Sequence, residues 1–182
     1  MSLLYFRNAD ETSDEPVSDL HPLPVEMIGN ADTVGDVVTR TIVVPGVGTG
    51  AHSANDTVGQ LFEISQLARE SGKGGVIETV ALVETTTNSI STELWLFDRV
   101  ITPAADDAAH SISDAHAASC VGVVPITAYY ASALNSVGVA RGVGLAFQCR
   151  SDSSSLFGLL VTRGAPTYAA SGITVAVSVI QE

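Results

Sequence analysis

Apolar and polar positions alternate with a period of two along most of the chain after residue 32. Val143, Leu145 and Phe147 alternate with Gly144, Ala146 and Gln148, and Phe157, Leu159 and Val161 with Gly158, Leu160 and Thr162. Ile173, Val175, Val177 and Val179 alternate with Thr174, Ala176 and Ser178. Side chains of a strand point alternately to its two faces, so this pattern predicts strands. Apolar runs bounded by turn residues predict further strands at Thr41–Val44, Val58–Ile64, Val76–Glu84, Thr92–Phe97 and Cys120–Ile126. In Thr92–Phe97, Trp95 and Phe97 share one face, and Leu94 and Leu96 the other. Pro125 cannot donate to a ladder, which puts the end of its strand at a bulge or a sheet edge.

Between these runs, Gly46–Gly50 reads as a flexible loop, Ser71–Gly75 as a hairpin turn and Thr85–Ser89 as a polar loop. Pro103–Ser119, rich in Ala, Asp, Ser and His, reads as a loop holding a short helix capped by Ser113. Ser65–Ser71 is the other stretch with any helical character. About eight strands without crossover helices predict an all-β fold, an antiparallel jelly-roll-like sandwich, over residues 32–182. Residues 1–31 are set apart as an extended N-terminal arm. They carry Asp10, Glu11, Asp14, Glu15, Asp19 and Glu26 against Arg7, and Pro16, Pro22 and Pro24 interrupt any helix or central strand. Charge and proline suit a disordered tail, and the apolar tip suits an arm that docks on a neighbouring subunit; in the second reading Leu3, Leu4, Tyr5 and Phe6 are the expected contact.

Composition narrows the function classes. Hydrophobic residues make up 46% and aromatics 5%, which predicts an aliphatic core. The formal net charge of −12 and the scattering of the 8 Lys and Arg residues exclude direct nucleic-acid binding and an anionic membrane surface as partners. No apolar run approaches the ~20 residues of a membrane span. Met1–Arg7 is too short for a secretory leader, so the chain is expected to be made in the cytoplasm. Cys120 and Cys149 are expected to be buried free thiols.

Few residues suggest chemistry. Gly46, Gly48 and Gly50 lack the strand-to-helix context of a dinucleotide loop, and Lys73 lacks the rest of a phosphate loop. His52, Ser53 and Asp56 lie too close in one loop to build a triad, and no Gly-x-Ser-x-Gly elbow occurs. Asp106, Asp107, His110, Asp114 and His116 are the densest group of metal-ligand types, but their spacing matches no ligand motif. Their expected place is a solvated loop, with an oligomer axis as the one setting where they would meet. No catalytic residue, cofactor or metal is expected.

Several segments resemble tailed-bacteriophage structural proteins encoded beside the capsid gene. They are Asn55–Phe62, Gly74–Val83, Leu94–Asp98, Ala104–Ala109, Ser113–His116, Val121–Ile126 and Leu156–Thr167, taken in that order and spacing. The chain departs from that pattern at His52–Asp56. The resemblance implies a head decoration, or cement, protein with a jelly-roll or related core. Its partners would be the major capsid protein and further copies of itself, a trimer being the usual form. Its place would be the outer surface of the phage head, where it stabilises the shell. The alternative is a host-recognition or collar module of a tail or fibre tip, for which Tyr129, Tyr130 and Tyr168 are the available aromatic platforms.

Overall fold

The computed structural model describes residues 36–182; the arm at 1–31, with Leu3, Leu4, Tyr5 and Phe6, lies outside the described residues. The strands are β1 (Val37–Val43), β2 (Thr57–Ile64), β3 (Gly74–Glu84), β4 (Thr92–Phe97), β5 (Cys120–Ile126), β6 (Ala128–Ala131), β7 (Ser136–Gln148), β8 (Leu156–Thr162) and β9 (Ile173–Gln181). One short helix, α1 (Asp114–Ala117), lies between β4 and β5. The strands form two antiparallel sheets, one ordered β1-β9-β3-β7-β6 and the other β2-β8-β4-β5. The all-β expectation therefore holds, and Pro125 does lie on an edge strand. Among consecutive strands only β4 with β5 and β6 with β7 are paired. Ser71–Gly75 is thus no hairpin turn: β2 and β3 belong to different sheets, and the turn carries the chain between them.

The main core is aliphatic. It holds Ile77, Val80 and Leu82 of β3, Leu94 and Leu96 of β4, Leu156 and Leu160 of β8, and the buried valines of β9. Each such side chain contributes about 1.5–3 kcal/mol on burial. Strict alternation in β9 gives one buried and one half-buried row, the signature of a strand with one face on a core. Register shifts mark bulges in β2 between Val58 and Phe62 and in β3 between Ile77 and Thr79. The first needs a glycine. Gly59 has φ +73°, and a Cβ there would lie 2.6 Å from the Pro45 carbonyl oxygen.

In β8 the alternation fails, because Leu159 and Val161 are buried as fully as Leu160. The β4–β5 connection, residues 98–119, explains this by lying across the outer face of the four-stranded sheet. Its Ile101 joins Phe97 and Leu159 in a second apolar cluster, with Leu61, Trp95 and Ile112 packed against it. Helix α1 in this connection starts as expected, Ser113 Oγ accepting from the His116 N–H at 3.3 Å. Ser65–Ser71 forms turns rather than a helix. Both cysteines are free; Cys149 is buried and Cys120 half-buried.

Candidate functional site

Asp106 is the knot that holds the long connection down. Its carboxylate accepts from the Gly48 N–H at 2.9 Å and the Gly59 N–H at 2.6 Å, and lies 3.2 Å from His52 Nε2. The other ring nitrogen of His52 lies 3.3 Å from the Gly50 carbonyl oxygen. The ring itself is buried and stands edge-on to Tyr168, with centroids 5.2 Å apart. The glycine loop at 46–50 is therefore clasped rather than free. Its Gly48 N–H, together with the Gly59 N–H of β2, receives a carboxylate of this same chain, as backbone N–H groups elsewhere receive a phosphate. His52 turns to Asp106, not to Ser53, whose N–H donates to Asp56 Oδ2 at 2.6 Å.

The rest of the loop cluster disperses. Asp107 is exposed, with φ +61°. Asp114 is exposed in the first turn of α1, and His116 is half-buried in its last turn. His110 tilts over Trp95 with ring centroids 4.8 Å apart, and neither of its nitrogens has a partner. Burial, then the Arg163 charge, pushes its pKa below 6.5. Arg163 hydrogen-bonds Asn55 and Glu93, and the Trp95 indole N–H donates to Glu93 at 3.0 Å. The Arg163 bond holds Glu93 below the usual carboxylate range. Among the described residues, no three His, Cys, Asp or Glu side chains are grouped to hold a metal ion.

A second polar group sits inside the sandwich. Glu84, at the end of β3, is completely buried, and its Oε1 has no partner. Burial pushes its pKa up from 4.5 to about 7, against the lowering effect of Asn88 and Thr86. The hydroxyls of Tyr129 and Tyr168 are also buried and unpartnered, and burial raises both phenols. Glu84 had a sequence signal: it continues the inward phase of Val80 and Leu82. Of the three tyrosines that could serve as exposed platforms, Tyr168 is buried and Tyr129 is half-buried against the core; Tyr130 alone stands out, at 64% exposure.

The outer face of the five-stranded sheet differs from both. Cα register lines up Val43, Thr174, Val83, Val137 and Tyr130 in one row. The next row is Thr41, Ala176, Ala81, Val139 and Ala128. Below them lie Thr39, Ser178, Thr79 and Arg141, then Val37, Ile180, Val76 and Ala146. Arg141 is the one charged side chain in these rows, with Glu78 beside them at the β3 bulge. No described segment covers this face, whereas the corresponding face of the other sheet lies under residues 98–119. A chain with net charge −12 has kept its acids off a wide, half-exposed surface. No protein-family model matches the chain, and no curated protein matches it.

Proposed function

We propose that the chain is a structural virion protein that binds the outside of a bacteriophage capsid as a homo-oligomer, with a trimer as the expected form. In this reading it stabilises the shell by bridging neighbouring subunits of the major capsid protein. The observation that carries the proposal is the outer face of the five-stranded sheet. Its side chains are mostly Val, Thr, Ala and Ser, and Arg141 is the one charge in the rows that burial would penalise, so the face can be desolvated cheaply.

We also read the sandwich as a jelly roll. The pairs β1 with β9, β2 with β8, β3 with β7 and β4 with β5 nest like one long hairpin with its tip between β4 and β5. Rolling that hairpin brings β3 onto β9 and β4 onto β8, the two remaining contacts of the eight-stranded core. β6 is then an added edge strand on β7. The arm at 1–31, through Leu3, Leu4, Tyr5 and Phe6, is proposed to extend the contact to an adjacent subunit, which raises avidity with little added interface.

The test mixes purified chain with capsids that lack it and pellets the particles. Wild-type chain should co-sediment to a saturating ratio and raise the temperature at which the shell disrupts. Ala81→Glu, which puts a charge in the middle of the face, should fold normally and stay in the supernatant. Failure of the wild-type chain to pellet, or equal pelleting of both, would refute the proposal.

A further inference from the structure

We propose that strand β1 is a self-association edge. In this contact two copies of the chain pair β1 antiparallel to β1 about a twofold axis at Arg40, joining two five-stranded sheets into one of ten strands. The contact is distinct from capsid binding through the sheet's outer face and does not depend on it.

The four sheet edges of the described residues are not equally protected. Unprotected edges invite pairing with another chain, and native sheets blunt them with prolines, short strands or covering segments. Three edges here are blunted. β2 is capped by the β4–β5 connection, where the Thr57 N–H donates to the Ala108 carbonyl at 2.9 Å and the Asp107 N–H to the Thr57 carbonyl at 3.1 Å. β5 carries Pro125, β6 has only 4 residues, and β7 beyond β6 is interrupted by a register shift between Arg141 and Leu145, with Gly142 and Gly144 at φ +61° and +62°. The fourth edge, β1, runs for 7 residues with no proline and no register shift. Its single charge, Arg40, is directed away by donating to the Gln66 carbonyl at 3.0 and 3.1 Å. No described segment pairs with its outer side.

The register of β1 suits pairing with its own copy. Gln181 N–H donates to the Asp36 carbonyl and Val44 N–H to the Ile173 carbonyl, so the even-numbered residues of β1 spend their backbone groups on β9. The groups aimed at the free edge therefore belong to Val37, Thr39, Thr41 and Val43. The strand reads Val-Val-Thr-Arg-Thr-Ile-Val, a palindrome in residue class about Arg40. A twofold there sets Val37 opposite Val43, Thr39 opposite Thr41 and Val38 opposite Ile42. Every outward N–H then meets an outward C=O, and Thr–Thr and aliphatic pairs are favourable cross-strand neighbours. A self-complementary patch is what an isologous contact requires. It also covers Val37 and Val43, which are 71% and 57% exposed.

Sedimentation velocity on the full chain tests this directly. Thr41→Pro removes an outward N–H and leaves every β9 bond in place, so the assembly should fall to half its wild-type mass while the circular dichroism is unchanged. Val43→Lys, at an exposed position, should halve the mass without the backbone change. The register has its own readout. At the twofold the Arg40 Cα atoms would lie about 4.5 Å apart, within disulfide range. Arg40→Cys should therefore cross-link to a dimer under mild oxidation, and Thr39→Cys should not. If the mass is the same for wild type, Thr41→Pro and Val43→Lys, the edge is not a contact between copies; residues 1–35 or another protein would cover it, and the proposal fails. Halved mass without the Arg40→Cys cross-link overturns the twofold register.

Discussion

Replacing Glu84 with Gln should remove most of a pH dependence that one buried carboxyl imposes on the fold. In the folded chain Glu84 titrates at about 7, against 4.5 when unburied, and the cause is desolvation by burial. Between those two values the folded state holds a proton that the unfolded chain has lost. Stability conferred by the protonated carboxyl is therefore intact below pH 4.5 and is lost as pH rises through 7. The gap of ~2.5 between about 7 and 4.5 corresponds, at about 1.4 kcal/mol per tenfold change, to roughly 3 kcal/mol. Gln keeps the shape and cannot ionise, so it retains the side chain's volume and removes the titrating group. Urea or thermal melts of wild type and E84Q at pH 4.5 and pH 8.5 give the comparison. The two should be close at the lower pH. At the higher pH, E84Q should be the more stable by roughly 3 kcal/mol, or about 6–12 °C for a domain of this size. A wild-type-minus-variant difference that does not change with pH would refute the reasoning.

Other variants separate the parts of the account. Asp106→Ala strands the Gly48 and Gly59 N–H groups and should cost about 3 kcal/mol, with faster amide exchange concentrated in residues 98–119. Leu159→Ala opens the second apolar cluster and should cost about 3 kcal/mol by denaturant melt. Gly59→Ala forces a side chain into a left-handed backbone against the Pro45 carbonyl and should cost about 2–4 kcal/mol, or prevent folding. His110→Phe keeps the stack on Trp95 and removes a base that burial holds below 6.5. Wild type should lose stability relative to this variant as pH falls below 6.5, and melts at pH 5 and 7.5 measure it.

Strand positions were legible because one face of each strand meets the core, and that constraint writes itself into the sequence with a period of two. Ile173–Val179 is the clearest case. β6 was missed because 4 residues, two of them tyrosines, carry too little alternation to distinguish a strand from a loop. Sheet partners were not legible: most ladders join strands remote in sequence, as β1 and β9 do, and nothing local to either strand encodes the other. The clasp was hidden for the same reason. Asp106 lies 58 residues from Gly48 and 54 from His52, so its acceptor role depends on a path that only the folded chain reveals. The density of Asp and His in 106–116 drew attention to the right loop. The structure uses one of the five to tie the loop down and stacks another on Trp95. The burial of Leu159 was likewise unreadable, since its alternation with Leu160 gives no hint that both faces of β8 are covered.

The most direct test of the proposal that the chain coats a phage head is a cryo-electron microscopy map of particles assembled with it. The account predicts β-sandwich density on the outer surface of the head, in closed oligomers, with the Val43–Tyr130 and Thr41–Ala128 rows of the five-stranded sheet against the capsid protein. Finding the chain at the tail or collar, or finding it on the head with that face turned to solvent, would contradict it.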